Sequence, residues 1–172
     1  LLLAEEEDEL SQEMWEELFS IEQYVEMALQ FSRLSAKSTD FVIGEVSLDK
    51  VVREAIHKYA RLFVRKKIKL ELTSIDTQVL TDEKWLEFVI EQILSNAIKY
   101  TAGGTISVYL KEEPEQETKE LVIEDTGIGI APEDLPRIFE KGYTGYNGHA
   151  DKRSTGIGLY LCRKIMRKLS HE

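Results

Sequence analysis

The segment best suited to bind a ligand combines a carboxylate with closely spaced glycines. Residues 121–123 are an apolar run with β-branched members, which predicts a buried strand ending at Glu124 and Asp125. Gly127 and Gly129 follow, and this G-x-G spacing lets the backbone turn sharply and approach a ligand closely. A carboxylate at the end of such a strand can accept a hydrogen bond from an amino group, such as the exocyclic amine of adenine. Taken alone, the pattern fits an ordinary strand-to-turn junction equally well.

A polar stripe interrupts an otherwise apolar helical segment further upstream. Gln92, Asn96 and Lys99 follow one another at helical spacing and therefore share one face of the predicted helix. Lys99 places a positive charge suited to a phosphate. The amide oxygen of Asn96 is a ligand of the kind that Mg²⁺ prefers. A stripe that simply faces solvent is the alternative interpretation.

A third segment with chemical potential opens the last predicted helix. Gly156 and Gly158 lie at its start, where free N–H groups and the helix dipole favour phosphate binding. Ser154 and Thr155 add hydroxyl groups just before them. The segment is not a Walker A loop, because no G-K-[ST] follows, and it lacks the strand-first order of a dinucleotide-binding fingerprint. A glycine-rich helix start without a ligand is the alternative.

Composition excludes several classes of protein. The chain has 172 residues and 42% hydrophobic residues, enough for one domain with a core, or one domain with a helical appendage. A formal net charge of −10 argues against a nucleic-acid partner, which requires a basic surface. No apolar run reaches the length of about 18 residues that a membrane span needs. The single Cys162 fits a reducing compartment, and one cysteine with three histidines makes a structural zinc site improbable.

The N-terminal part of the chain has a helical period of its own. The acidic run at residues 5–9 is interpreted as a solvated turn between helices. From Ser11 to about Ser35, positions four and three residues apart form a seam typical of coiled coils. Its members are Met14, Leu18, Ile21, Val25, Ala28, Ser32 and Ser35. We interpret this segment as one helix of a dimeric bundle. An amphipathic helix packed on its own domain is the alternative, and residues 36–45 are the expected boundary.

The remaining pattern predicts an alternation of helices and strands. A helix capped by Ser47 or Asp49 runs to about Lys66, and another opens at Thr81 or Asp82 and ends near Thr101. Strands are expected at 68–72 and 78–80, followed by a hairpin whose strands, 105–111 and 121–124, are joined by a polar loop at 112–119. After the hairpin we expect a short helical turn between Pro132 and Pro136 and a mobile glycine-containing loop at 141–155. The last expected element is a helix that ends at about Leu169.

Four segments, in family order and spacing, resemble the ATP-binding domain of the GHKL superfamily, and specifically that of sensor histidine kinases. EQILSNAIKY (91–100) resembles the N box and DTGIGI (125–130) the G1 box. PRIFEKGYTG (136–145) resembles the F box and STGIGLYL (154–161) the G2 box. The resemblance covers roughly residues 46–169. The chain also resembles the Gram-positive kinases that sense cell-envelope antibiotics.

This resemblance implies an α+β fold: a two-layer α/β sandwich of the GHKL, or Bergerat, type with a mixed, largely antiparallel sheet, preceded by one helix of a helical bundle. It implies that residues 1–38 are partial dimerisation and histidine-phosphotransfer helices. Residues 39–172 would then be the catalytic ATP-binding domain, with its last strand absent.

The resemblance also implies ATP and Mg²⁺ as cofactors and assigns residues to them. Asn96 and Lys99 would be the catalytic residues, with Asn96 binding the metal, and Asp125 would accept the adenine amino group. The full set expected to bind the cofactor is Gln92, Asn96, Lys99, Tyr100, Asp125, Gly127, Gly129, Ile130, Phe139, Lys141, Thr155, Gly156, Gly158 and Leu159.

Two departures from the family pattern refine the expected reaction. Gln92 stands where hydrolysing members of the superfamily carry a glutamate that activates water. Glutamine cannot act as a general base, which favours phosphoryl transfer over hydrolysis. None of His57, His149 and His171 has the H-x-[KR]-x-P context of the family's phosphoacceptor. The acceptor is therefore expected upstream of Leu1, and this chain is expected to bind ATP without phosphorylating itself.

The partners implied by the resemblance are a response regulator and, in the longer protein, a second copy, with dimerisation weakened in this chain. The parent is expected to be membrane-anchored, with this part in the cytoplasm, and to work with a transporter; no nucleic acid is expected. Two other functions are considered: a GHKL ATPase used as a conformational clamp, and a nucleotide-free scaffold. Gln92 counts against the first, and the set Asn96, Asp125 and Gly158 counts against the second.

Overall fold

The structure is a computed structural model and describes residues 2–36, 41–113, 118–145 and 154–172. The chain divides into two compact units, Leu1–Asp40 and Phe41–Glu172. Across the described residues, no helix has both the length and the apolar character needed to cross a membrane.

The first unit is a single helix, α1 (Leu2–Ser35). It runs through the acidic residues 5–9, so the turn predicted there is wrong. Leucine, alanine and glutamate are strong helix formers, and the segment has neither glycine nor proline to end a helix. Six large apolar side chains on α1 are 47–63% exposed: Leu10, Met14, Leu18, Ile21, Val25 and Leu29. The stripe therefore exists as an exposed apolar surface, and its pairing in a bundle stays a prediction.

In its described residues, the second unit has four further helices and one 3₁₀ turn. They are α2 (Leu48–Lys58), α3 (Ala60–Arg65), α4 (Glu83–Tyr100), the 3₁₀ turn Leu135–Arg137, and α5 (Gly158–Lys168). The single helix predicted from Ser47 to Lys66 is wrong, because the backbone leaves α-helical geometry at Tyr59, whose φ is −95° and ψ 4°. The rings of Tyr59, at the break, and of Phe63, on α3, are both buried.

Five strands in the described part of the chain form two sheets. β1 (Gly44–Ser47) and β3 (Gln78–Thr81) pair antiparallel. β4 (Gly104–Glu113) lies between β2 (Ile68–Leu72), to which it is parallel, and β5 (Thr118–Asp125), to which it is antiparallel. The sheet structure is mixed and largely antiparallel, as predicted. The hairpin strands are longer than expected, because β4 extends to Glu113 and β5 starts at Thr118.

The core of this unit lies between the helices and one face of the three-stranded sheet. Alternate residues of β4, Ile106 and Val108, are fully buried, as the period of two in a strand requires. The helices contribute Val51, Val52, Ala55, Leu94, Ile98, Leu161 and Ile165, each at most 2% exposed. α4 packs against both α2 and α5. This arrangement confirms the predicted two-layer α/β sandwich and makes α4 its central helix.

The start of α4 is fixed by a buried carboxylate. Asp82 is the N-cap, and its Oδ1 accepts hydrogen bonds from the backbone N–H groups of Lys84 at 3.1 Å and Trp85 at 3.2 Å. Its Oδ2 accepts another from the N–H of Val42 at 2.7 Å. One of the two predicted capping residues is thus the observed one. The carboxylate joins the helix start to the segment before β1.

Candidate functional site

The turn after β5 is organised by Asp125. The side chain is exposed, and its Oδ1 accepts a hydrogen bond from the N–H of Gly127 at 2.8 Å and a longer one from Thr101 Oγ1 at 3.5 Å. This is the self-bonded turn that aspartate favours. Within the described residues, Oδ2 accepts no hydrogen bond. One carboxylate oxygen therefore shapes the turn, while the other can accept a hydrogen bond from a ligand's amino group.

Gly127 is required by the close approach of the turn to the end of α4. A Cβ atom there would lie 2.7 Å from Asp125 Oδ1, 2.9 Å from Thr101 Oγ1 and closer still to the carbonyl oxygen of Tyr100. The same carbonyl accepts a hydrogen bond from the N–H of Ile128 at 3.2 Å. The turn is thus bonded directly to the last residue of α4.

Apolar side chains lie next to this carboxylate. Ile128 is 65% exposed and Ile130 is 49% exposed, on a segment whose Gly129 has a φ of +70°. Exposed aliphatic surface beside an acceptor suits a flat heteroaromatic ring that carries an amino group. The predicted set Asp125, Gly127, Gly129 and Ile130 therefore lies on one continuous turn.

The other end of the candidate site is a contact between α4 and the residues before α5. Lys99 Nζ donates a hydrogen bond to Ser154 Oγ at 2.7 Å, and the Tyr100 hydroxyl lies 3.4 Å from the same oxygen. The Lys99 ammonium also lies 5.3 Å from the centre of the Tyr100 ring. Thr155, the predicted residue, instead accepts a hydrogen bond from the N–H of Ile157 at 3.3 Å. The sequence analysis named the Ser154 hydroxyl beside the glycines, but Ser154 was not in the set expected to bind the cofactor.

A second lysine fixes the last turn of α4. Lys66 Nζ donates to the carbonyl oxygens of Ile98 at 2.7 Å and Lys99 at 3.2 Å. These carbonyls belong to the negative end of the helix dipole, where a cation is favourable. The backbone that carries Lys99 and Tyr100 is therefore held in place independently of any ligand.

The polar face of α4 packs against the start of α5. Gln92 is 7% exposed, and a Cβ atom on Gly158 would lie 2.8 Å from its Oε1. Glycine at this position therefore permits close packing of the two helices. Asn96 lies one helical turn further along the same face and is half-buried. The alternative of a purely solvent-facing stripe is wrong for Gln92, which is buried.

The donor set on α4 fits Mg²⁺ in the way such sites usually work. No cluster of three or more His, Cys, Asp and Glu residues in the described ranges could hold a metal ion. Mg²⁺ in phosphate sites commonly uses one or two protein oxygens, with phosphate and water completing its shell. The half-buried amide of Asn96, one turn from Gln92 and close to Lys99, offers such an oxygen.

Gly156 joins the two sides of the predicted loop at 141–155. Its φ is +64°, and a Cβ atom there would lie 2.5 Å from the carbonyl carbon of Gly142 and 2.6 Å from the Tyr143 carbonyl oxygen. The N–H of Gly142 donates to the Gly156 carbonyl at 2.9 Å. Residues 146–153, including His149, lie outside the described residues, so the predicted mobility of the loop stays a prediction.

Three predicted residues belong neither to the Asp125 turn nor to the contacts between α4 and the start of α5. Phe139 is 37% exposed, and its ring centre lies 5.5 Å from the guanidinium carbon of Arg163 on α5. Lys141 is exposed and Leu159 is half-buried. Their roles with a ligand stay predictions.

The fold and the order of its glycine-containing segments define an ATP-binding α/β sandwich of the GHKL class. A sequence profile described as "Histidine kinase-, DNA gyrase B-, and HSP90-like ATPase" matches residues 81–172, just over half of the chain. The chain belongs to this family.

Curated relatives are sensor kinases. The chain is 36% identical over 172 residues to "Sensor histidine kinase YxdK" of Bacillus subtilis, covering 99% of this chain and 53% of that protein. It is 34% identical over 159 residues to "Sensor protein BceS" of the same species, covering 92% and 47%. It is 32% identical over 170 residues to "Sensor protein kinase GraS" of Staphylococcus aureus, covering 98% and 49%. The chain spans about half the length of these relatives, which confirm the resemblance to the Gram-positive envelope-sensing kinases.

Solved structures confirm the fold. The "Mycobacterial sensor histidine kinase MprB" matches with a TM-score of 0.62 at 26% identity, over 75% of this chain and 81% of that one. Full-length ShkA in complex with AMPPNP matches with a TM-score of 0.69 at 22% identity, over 85% and 30%. ThkA in complex with the response regulator TrrA matches with a TM-score of 0.65 at 22% identity, over 91% and 42%.

Proposed function

We propose that this chain is the catalytic ATP-binding part of a sensor histidine kinase. It binds ATP with Mg²⁺ and presents the γ-phosphoryl group to a histidine elsewhere in the longer protein. The observation that carries the proposal is the role of the last turn of α4. Its Tyr100 carbonyl is bonded to the Asp125 turn at 3.2 Å through Ile128, and its Lys99 is bonded to Ser154 at 2.7 Å. One rigid element thus positions a site for a base and a site for phosphates.

Different residues of the site bind the base, the phosphates and the metal ion. Asp125 Oδ2 accepts the adenine amino group beside the exposed Ile128 and Ile130. Lys99 supplies positive charge to the phosphates, and the Asn96 amide oxygen holds Mg²⁺, which neutralises phosphate charge when bound. Gln92 lacks a titratable group, so water is not activated at its position and transfer is favoured over hydrolysis.

The proposed partners follow from the kinase class. The phosphohistidine passes its phosphoryl group to a response regulator, the kind of protein with which ThkA was crystallised. The exposed stripe of α1 pairs with a second copy in the longer protein. We place this part at the cytoplasmic side of a membrane-anchored parent that works with a transporter.

Calorimetric titration of the chain with ATP tests the proposal directly. We expect one ATP per chain, tighter binding with Mg²⁺ than with EDTA, and much weaker binding of GTP, whose 6-keto oxygen cannot donate to Asp125. Absence of ATP binding by the folded chain would refute the proposed function. Equal affinity for ATP and GTP would refute the assignment of Asp125 to the base.

A further inference from the structure

A compact group of polar side chains surrounds Tyr143, which lies within the F-box segment (136–145). The Tyr143 hydroxyl donates a hydrogen bond to Asp134 Oδ1 at 2.5 Å. The guanidinium carbon of Arg137 lies 4.2 Å from the centre of the Tyr143 ring, and Arg137 Nε donates to Glu140 Oε2 at 3.1 Å. Asp134 also fills the space beside Gly145, where a Cβ atom would lie 2.8 Å from Asp134 Oδ2. The group ties residues 143–145 to the turn that begins at Asp134.

The backbone of Tyr143 touches Gly156 on the far side of the loop. A Cβ atom on Gly156 would lie 2.6 Å from the Tyr143 carbonyl oxygen and 2.7 Å from its amide nitrogen. The Gly142 N–H donates to the Gly156 carbonyl at 2.9 Å. Because the backbone segments at Tyr143 and Gly156 are in direct contact, the position of Gly156 depends on the position of Tyr143.

Gly156 in turn lies two residues from Ser154, which holds the ammonium group of Lys99 at 2.7 Å. A continuous series of contacts therefore runs from Asp134 through Tyr143 and Gly156 to Ser154 and Lys99. The part of this series nearest Lys99 is the phosphate end of the proposed site. The Asp125 turn is not among these contacts.

We propose that Asp134 and Tyr143 are positioning residues for the phosphate end of the nucleotide site, acting through the backbone contact with Gly156 on the Ser154–Lys99 pair. The proposal rests on the proposed function and names two residues that determine how well that function is performed. Tyr143 does not need to touch the ligand to act in this way.

The Tyr143 hydroxyl remains protonated and can keep donating its hydrogen bond to Asp134. The hydrogen bond to Asp134 raises the pKa of Tyr143 above its usual value, and partial burial and the negative charge of Asp134 act in the same direction. The phenol therefore keeps its proton at neutral pH and remains a donor. Asp134 accepts through a carboxylate oxygen, which makes the bond charge-assisted.

The test compares ligands with and without phosphates, because the contacts act on the phosphate end only. The variants are Tyr143→Phe, which keeps the ring under Arg137 but loses the hydroxyl, Asp134→Ala, and Asp134→Asn, whose carbonyl oxygen can still accept. Dissociation constants for ATP with Mg²⁺ and for adenosine are measured by NMR titration of the labelled chain, which also shows whether each variant is folded. Tyr109→Phe on β4 is the matched control, since it removes the same hydroxyl from the sheet.

We expect Tyr143→Phe and Asp134→Ala to weaken ATP binding about fivefold or more, with adenosine affinity changed by less than about twofold. Asp134→Asn should fall between Asp134→Ala and the unaltered chain, because its carbonyl oxygen still accepts but the bond is no longer charge-assisted. Tyr109→Phe should stay close to the unaltered chain. Unchanged ATP affinity in folded Tyr143→Phe would overturn the proposal, and so would a parallel loss of ATP and adenosine binding. An unaltered chain that binds neither ligand would refute the proposed function instead.

Discussion

Replacing Asp125 by asparagine isolates the base-recognition step, because the two carboxylate oxygens have separate roles. Oδ1 accepts from the Gly127 N–H at 2.8 Å, and an asparagine carbonyl oxygen can keep that bond. The amide nitrogen then occupies the position of Oδ2 and presents N–H donors to the adenine amino group, which is itself a donor. The variant should therefore keep its turn and lose its ligand bond.

The size of the effect follows from the kind of bond that is removed. A hydrogen bond to a charged group contributes about 1.5–3 kcal/mol, which corresponds to about a 10- to 150-fold change in affinity. Asp125 is exposed in the structure, so its carboxylate is well solvated before a ligand covers it. The lower end of the range applies, and we expect ATP affinity to fall about tenfold.

The assay is calorimetric titration with ATP and GTP, with Glu124→Gln as the matched control. Glu124 is the preceding exposed carboxylate on β5, so the control removes the same charge one residue away. We expect the control to bind ATP normally and Asp125→Asn to lose most of the preference for ATP over GTP. Unchanged ATP affinity in a folded Asp125→Asn variant would refute the reasoning, as would an equal loss in Glu124→Gln.

Two further substitutions test the packing and the electrostatics of α4. Gly127→Ala should lower the free energy of unfolding by about 1–3 kcal/mol, because its methyl group would crowd the Tyr100 carbonyl. Urea unfolding measures the effect, and Gly44→Ala is the control because the space around Gly44 is open. Equal urea midpoints for the two variants would contradict the prediction. Burial raises the pKa of Glu87, and the negative charge of Glu91 adds to this. A raised carboxyl pKa means that the ionised form is disfavoured in the folded state, so the folded state loses stability as the pH rises through that pKa. Glu87→Gln should therefore stabilise the chain at pH 7 by no more than about 1 kcal/mol and have little effect near pH 4, and urea unfolding that shows the same gain at both values would contradict this.

The sequence was sufficient to predict features that depend on neighbouring residues. The carboxylate at Asp125, the G-x-G turn and the start of α4 were all expected, because strand ends, glycine turns and N-caps are determined within a few residues. Asp82 was one of two candidate caps, and its bonds from the N–H groups of Lys84 and Trp85 identify it as the observed one. The sequence identified the candidates, but it could not show the further bond from the distant N–H of Val42.

Features that depend on distant contacts were not accessible in this way. Ser154 and Lys99 are 55 residues apart in the chain, so neither residue type nor spacing could show that they are bonded. The break at Tyr59 was missed because the apolar period continues through it, and only the backbone geometry of Tyr59 shows where the helix is interrupted. The length of β4 and β5 was underestimated because polar residues near the hairpin end hide a pairing made by the backbone.

The last turn of α4 explains why the effects of two sets of substitutions should differ. Lys66 donates hydrogen bonds to the carbonyls of Ile98 and Lys99, and we expect these bonds to hold the turn in place when a ligand binds. Loss of the Asp125 bond should then weaken the binding of ATP and of adenosine to the same extent, since both contain the adenine amino group. Loss of the Tyr143 hydroxyl should weaken the binding of ATP but not that of adenosine. If both substitutions instead weakened both ligands equally, base and phosphate recognition would not be separable on this helix, and the division of the site between Asp125 and Lys99 would be wrong.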